Sequence, residues 1–487
     1  AFRTLAPRAM ARMARYEGAP GVVAFRDWLT VENLVSIRVS RGRSAGLRGK
    51  KLGLSKKGEA LFDAIEEASR DINGLREGRS YETPPCFVAA RGKLVDSLQN
   101  TGKKEGRLVV VPDLKRHLLG SLASVPYSKL VKSFSKKDGG VMIGMSNFDG
   151  WYQFLADQAR SRKPLFYICA DFSGYDQTVP APVIAASLER IRARFSKCSG
   201  DEAYWASEYE HLVNTRIAIP SGQLYLKTRG VASGDPWTSQ VGSEANWLMH
   251  ECMFDHLGWD ARAWTFGDDV VVAVYALGPS QEKEGVMDLY SRTLDSLFGL
   301  EVKVSDSYVT DKLVVDGDYP VRGGSVKFLS NYFMNRGGVV RPVPEWTAIV
   351  ENMMYPEHND FDLLLDPSVE AVLRQLEDEM ARTASLYLVS YFNPMCRAML
   401  ERYYHWLSGQ LGRAPALDPV RWFELFKYHD IPPELGLEWV GSLPGYQQVS
   451  ELYSFSGSVG TIERMIESSR TASAGMASSS NKAGRDQ

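Results

Sequence analysis

The apolar positions of this chain change period along its length, and the change outlines an α+β fold. Residues 165–170 form an unbroken apolar run rich in β-formers (Phe166, Tyr167, Ile168) that stops at Asp171. That pattern predicts a buried strand with a carboxylate at its end. Residues 262–277 predict a hairpin: Ala263-Trp264-Thr265-Phe266 enters, Gly267-Asp268-Asp269 turns, and a valine-rich stretch returns. Glycine tolerates positive φ and aspartate bonds its own backbone, so Gly-Asp suits such a turn. Residues 233–246 read as a tight glycine turn entering a helix that sets Thr238, Gly242 and Asn246 on one face. Helical periods also cover 58–75, 183–214, 369–388 and 394–411, the last two rich in aromatics such as Tyr403, Tyr404 and Trp406, which are expected in the core. After Tyr453 the composition turns to Ser, Gly and Ala, and a flexible tail is expected.

Composition narrows the class without naming a chemistry. At 487 residues, 44% hydrophobic and 24% charged, the chain is long enough for two or three globular domains. A formal net charge of −2 excludes a general polyanion binder, so nucleic acid would need a local basic lining. One such stretch carries Arg38, Arg41, Arg43, Arg48, Lys50, Lys51, Lys56 and Lys57 with no acidic residue among them. It reads as a loop suited to phosphate contact or, equally, as a solvated basic loop. The cysteines (Cys86, Cys169, Cys198, Cys252, Cys396) are odd in number and lack a C-x-x-C pair, which predicts reduced thiols and no zinc module. No apolar stretch approaches the roughly 20 residues of a membrane span, and no signal peptide is expected. The chain opens on Ala1 rather than methionine, consistent with a processed or trimmed sequence.

The acidic residues carry the chemistry. A strand-end Asp171 facing a hairpin-tip Asp268-Asp269 is suited to hold two divalent ions, with Asp171 and Asp268 as main ligands and Asp269 assisting. Two such ions lower the pKa of an attacking hydroxyl and stabilise the leaving oxygen of an in-line phosphoryl displacement. Mg²⁺ fits because it takes hard oxygen ligands and shares its shell with substrate phosphates.

Three segments, Ala170-Asp171-Phe172-Ser173-Gly174-Tyr175-Asp176, Ala232-Ser233-Gly234-Asp235-Pro236-Trp237-Thr238 and Phe266-Gly267-Asp268-Asp269-Val270, follow one another within about a hundred residues. In that order they resemble motifs A, B and C of viral RNA-dependent RNA polymerases. The resemblance implies a right-hand fold: fingers at 1–164, a palm at 165–345 with a helical fingers insertion near 183–225, a helical thumb at 346–455 and the tail at 456–487. It places Asp176 beside the incoming ribose, where a carboxylate accepts a bond from the 2′-OH. Tyr175, one residue away, is the rival as a gate that would exclude that hydroxyl. A third reading has Asp176 capping a helix that starts near Pro180. Ser233, Gly234, Thr238 and Asn246 would position template and ribose. Gly242 departs from the polar residue common at its place, and Ser243 with Asn246 is closest to the pattern of small segmented double-stranded-RNA viruses (partitivirus- or picobirnavirus-like).

Upstream, Lys103 to Val110 resembles motif F, which assigns Arg107 and Lys104 to the incoming triphosphate, with Lys115 and Arg116 as weaker candidates. Residues 299–304 resemble the strand of motif D, whose usual lysine falls at Ser307, between Lys303 and Lys312; Lys327-Phe328-Leu329 resembles the turn of motif E. The implied activity is RNA synthesis from ribonucleoside triphosphates on a viral RNA template, using two Mg²⁺ ions for which Mn²⁺ substitutes. The implied setting is the virion interior or host cytoplasm, with the RNA template and product and a viral capsid protein as partners. The alternatives are a reverse transcriptase, against which Asp176 speaks, and a non-catalytic capsid-associated RNA-binding protein.

Overall fold

The computed structural model describes residues 2–17, 27–91, 107–135, 139–148, 150–315, 317, 320–354, 368–413 and 443–454. The fold is α+β and divides into two compact units. One comprises Ala1–Met145 with Arg162–Asp311, the other Ser146–Ser161 with Lys312–Gln487. These units follow contacts within the chain, and their boundaries differ from the three-part fingers, palm and thumb division expected from resemblance.

The first unit opens with α1 (Phe2–Glu17), short helices α2 (Val31–Val35) and α3 (Leu47–Lys51), and the long α4 (Lys57–Arg76). The antiparallel strands β1 (Cys86–Arg91) and β2 (Arg107–Val111) precede α5 (Leu114–Ser135). Helix α6 (Trp151–Arg160) belongs to the second unit. The first resumes with β3 (Phe166–Ala170), the single turn α7 (Tyr175–Thr178), α8 (Ala181–Arg192), α9 (Asp201–Val213), β4 (Arg216–Ala218) and β5 (Leu224–Leu226). It ends with α10 (Thr238–Leu257), β6 (Asp260–Phe266), β7 (Asp269–Ala276), α11 (Val286–Phe298) and β8 (Tyr308–Thr310).

The strand order β6-β7-β3-β8 explains the unbroken apolar run. β3 is paired antiparallel on both sides and every residue in it is buried, so neither face needs polar residues. Helix α10 packs against β6 and is buried continuously from Val241 to Phe254, although several of those residues are polar. Most of these polar groups have a defined partner, as burial in a low dielectric demands, Asn246 Oδ1 being an exception. Glu244 accepts from Tyr127 and from Arg190 Nε (3.2 Å), and Glu251 accepts from Arg12 Nε (2.6 Å) and Trp247 Nε1 (3.2 Å). His250 bonds Asn246 O (2.8 Å) and Tyr290 OH (2.5 Å), and full burial pushes its pKa down to about 4.

Residues 299–304 do not form the expected motif D strand. Gly299 ends α11 in the left-handed region (φ 67°), and Asp306 N and Ser307 N both turn back to Lys303 O (2.9 Å each). Only Val302 bridges to the sheet end, at Phe172, and the strand itself begins at Tyr308. The basic stretch is likewise not all loop, because α3 lies within it.

The second unit continues from α6 through β9 (Val314–Val315), β10 (Lys327–Phe328), β11 (Asn331–Arg336) and β12 (Val339–Pro344) to α12 (Trp346–Met354), α13 (Val369–Ser390), α14 (Pro394–Leu411) and α15 (Tyr446–Leu452). α14 starts where Asn393 Oδ1 accepts from Met395 N (3.1 Å) and Cys396 N (3.3 Å), with Pro394 in the first turn, a strong stop and start between α13 and α14. Tyr404 is buried as expected and Tyr403 is half-buried against the same core, but Trp406 is 56% exposed, its ring lying parallel to that of Tyr403, so Trp406 is not core. The expected tail lies outside the described residues.

Candidate active site

β3 ends by presenting Asp171, and the backbone there is tied to the 303–307 turn. Asp171 N–H donates to Ser307 Oγ (3.0 Å), and Lys303 N–H donates to Asp171 O (2.8 Å). Across the sheet Ala170 pairs with Val270 and Phe266 with Asp269, so register brings Asp171 to the end of the sheet that carries the 267–269 turn. Gly267 occupies the left-handed region there (φ 60°), where a side chain is strained. Asp268 and Asp269 are exposed, and Asp171 is partly so.

Helix α10 clamps this turn from behind. Gly267 N–H donates to Ser243 Oγ (2.8 Å), Thr265 Oγ1 donates to Ser243 O (2.9 Å), and Asn246 Nδ2 donates to Gly267 O (2.8 Å) and Asp268 O (3.4 Å). Asn246 is fully buried, which corrects the expectation that it touches substrate; it holds the turn. Gly242 lies where an added Cβ would meet Gly267 Cα at 3.8 Å, and Tyr175 donates to Gly242 O (2.7 Å). Tyr175 is buried, and burial together with the Asp268 and Asp176 charges holds its hydroxyl well above the usual tyrosine range. It faces the core and is no gate.

Asp176 sits within α7, half-buried, and its Oδ2 accepts from Ser233 Oγ at 2.8 Å. It does not cap α8, whose N-cap is Pro180. Its carbonyl accepts from Val231 N (2.6 Å), so the motif A turn and the motif B loop are joined through both backbone and side chain. Gly234 has φ 155°, and a Cβ there would lie 2.7 Å from Val110 O on β2, so glycine is needed for this close approach. Thr238 Oγ1 lies 2.6 Å from Ala232 O and 2.8 Å from Asp235 O and accepts from Gly234 N (3.3 Å), which makes it a shaper of the loop rather than a visible substrate contact.

The upstream cations separate. Arg107 begins β2 as expected, though only its place on the strand is described, and Lys104 lies outside the described residues. Arg116 cannot serve a triphosphate, because it is 2% exposed and forks onto Asp235 (2.9 and 3.0 Å) while also bonding Glu208 (2.7 Å) and Tyr81 OH (2.7 Å). Trp237 Nε1 donates to Glu208 as well (2.5 Å). Lys115 is held by Asp71 at 2.8 Å. The sequence reading missed the acidic end of this cluster: Asp235, inside the Ser-Gly-Asp segment, is a core anchor of the loop. At the motif D position, Ser307 bonds backbone and Lys303 carries the cation, its Nζ 3.0 Å from Asp171 Oδ2.

Among the described residues, no three His, Cys, Asp or Glu side chains converge closely enough to enclose an ion alone. The donor set still fits Mg²⁺, which keeps waters and is completed by substrate phosphates around one or two carboxylates.

An antiparallel sheet that presents aspartates at a strand end and in a hairpin turn, with a glycine-led helix behind them, is the palm of a right-hand polymerase. Residues 94–406 match the model of viral RNA-dependent RNA polymerases. The chain belongs to that family. It is 25% identical over 207 residues to the non-structural polyprotein 1AB of human astrovirus-5, an alignment covering 40% of this chain and 14% of that one. It is 26% identical over 245 residues to the genome polyprotein of pea seed-borne mosaic virus (47% of this chain, 7% of the polyprotein). The chain thus spans a small part of these relatives' length. Its fold is similar to the crystal structure of a human picobirnavirus RNA-dependent RNA polymerase (TM-score 0.59, 13% identity, 92% of this chain and 78% of that one). It is equally similar to a sicinivirus 3Dpol RNA-dependent RNA polymerase (TM-score 0.60, 15% identity, 87% and 85%).

Proposed function

We propose that the chain synthesises RNA from ribonucleoside triphosphates on an RNA template, serving viral genome replication and transcription. The observation that carries this reading is the joint at the sheet end: Asp171 beside the Asp268-Asp269 turn, with the Asp176–Ser233 pair adjoining it. Asp171 and Asp268, assisted by Asp269, would hold two Mg²⁺ ions, which Mn²⁺ can replace. Bound there, the ions supply activation of the attacking hydroxyl and charge neutralisation at the leaving oxygen. The protein's own part is positioning, as phosphoryl transfer requires. Ser243 and Asn246 hold the turn that carries Asp268. Asp176, a carboxylate with about four lone-pair sites, accepts the ribose 2′-OH.

Arg107 and Lys104 are assigned to the triphosphate. Arg38, Arg41, Arg43, Lys50, Lys51 and Lys56 are exposed and suited to the template backbone. Arg48 instead pairs with Glu67, and Lys57 is pushed down to about 8, by burial first and by Arg43 second. In this reading residues 1–164 act as fingers, 165–345 as palm and 346–455 as thumb. Among the described residues no helix is long and apolar enough to cross a membrane. A host-cytoplasmic or virion-interior setting and a capsid partner complete the proposal.

The test is incorporation of labelled ribonucleotides on single-stranded RNA with Mg²⁺, wild type against Asp268→Ala, with deoxynucleotides in parallel. Product from wild type with ribonucleotides alone supports the reading. Preference for deoxynucleotides points to reverse transcription, and RNA binding with equal, background incorporation by both proteins points to a non-catalytic role.

A further inference from the structure

Lys303 is unused by the reading above, yet it makes a direct cationic contact at the sheet end. Its Nζ donates to Asp171 Oδ2 at 3.0 Å, and its backbone belongs to the same knot as the carboxylate. Lys303 N–H donates to Asp171 O, Lys303 O accepts from Asp306 N and Ser307 N, and Ser307 Oγ accepts from Asp171 N. The two Cα positions are therefore fixed relative to one another, while the side chains are 40% and 41% exposed and free to exchange partners. A lysine stem has four rotatable carbons, so the ammonium can leave without moving the knot.

We infer that Lys303 is the resident counter-ion of Asp171, and that a divalent cation binds at Asp171 by displacing it. This rests on the reading of Asp171 as a metal ligand. Mg²⁺ bonds its oxygens at about 2.0–2.1 Å, so an ion on Oδ2 cannot share that oxygen with an ammonium at hydrogen-bond distance without strong like-charge repulsion. The displaced charge stays tethered nearby. Water and salt soften its repulsion, which leaves about a fivefold weakening of divalent binding as its expected effect. Lys303 thereby biases the site against a lone ion and toward one arriving with a triphosphate, whose negative charge offsets the lysine.

The experiment uses the full chain without nucleotide and Mn²⁺ alone as probe, with affinity read by electron paramagnetic resonance of the free ion and folding checked by circular dichroism. Lys303→Gln is expected to bind Mn²⁺ about fivefold more tightly than wild type, and Lys303→Arg, which keeps the charge, to stay within about twofold of it. Asp171→Asn is expected to lose that binding. Mass-spectrometric mapping of lysine acetylation on wild type should show Lys303 becoming more reactive as Mn²⁺ is added. Equal or weaker Mn²⁺ binding in Lys303→Gln, with Asp171→Asn defective, overturns the counter-ion role. Undiminished binding in Asp171→Asn overturns the assignment of Asp171 as ligand instead.

Discussion

Two aspartate–cation pairs in the first unit use the same chemistry to opposite ends. Asp235 and Arg116 meet in a bidentate fork at 6% and 2% exposure, and Glu208, Tyr81 and Trp237 extend the network around them. Burial works against the guanidinium charge, but Asp235 and Glu208 outweigh it and hold the arginine well above its ordinary pKa. Asp171 and Lys303 make a single contact at 3.0 Å with about two-fifths of each side chain in water. A sealed, hydrogen-bonded pair cannot lose one member without stranding a charge, whereas a wet pair exchanges partners at little cost. Enclosure, more than residue type, separates the structural aspartate from the one available to a ligand.

The largest effect should come from the open side. Asp268→Ala is expected to lower RNA synthesis by about a thousandfold or more with stability little changed, measured as nucleotide incorporation beside thermal unfolding. On the sealed side, Arg116→Met should destabilise the protein by about 3–5 kcal/mol in denaturant unfolding, because two buried carboxylates lose their partner. A loss below 1 kcal/mol would erase the contrast. Burial sets a pH test at His250. Its folded pKa of about 4 lies below the ordinary 6.5, so its neutral form supports stability at neutral pH, and that support is lost as pH falls through the window from 6.5 to 4. The loss should total about 3 kcal/mol, and His250→Asn should flatten that part of the stability profile. Ser243→Ala removes the acceptor for Gly267 N–H and should cost about 1 kcal/mol, with a fall in turnover rather than in nucleotide KM. Smallest of all, Lys303→Gln should change unfolding stability by less than about 1 kcal/mol, in contrast to Arg116.

Much of the sheet was legible because its signals are local. The apolar run before Asp171 and the Gly-Asp turn between β6 and β7 each declare themselves within ten residues, and the structure has both. α13 and α14 were equally plain from their two long apolar periods, and the structure separates them at the Asn393 cap. Residues 299–304 misled because the resemblance put a strand there, whereas the chain makes one bridge at Val302, flanked by the Ser173 N–Glu301 O and Lys303 N–Asp171 O bonds, before it turns at Lys303 O. Arg116 misled because a cation near a motif F strand looks available until Glu208 and Asp235, remote in sequence, close around it.

The sequence by itself determined the α+β class and the family and singled out Asp171, Asp176, Asp268 and Asp269 as candidate site carboxylates, because strand periodicity, turn chemistry and motif order are written in neighbouring residues. Only the tertiary structure decided which charges are open and which are sealed. It joined Asp176 to Ser233, turned Tyr175 into the core, put Asn246 behind the turn and set Lys303 against Asp171. These pairings join residues 21 to 132 positions apart. Whether a polar side chain is solvated, satisfied or exchangeable depends on such distant neighbours, and no local pattern encodes them.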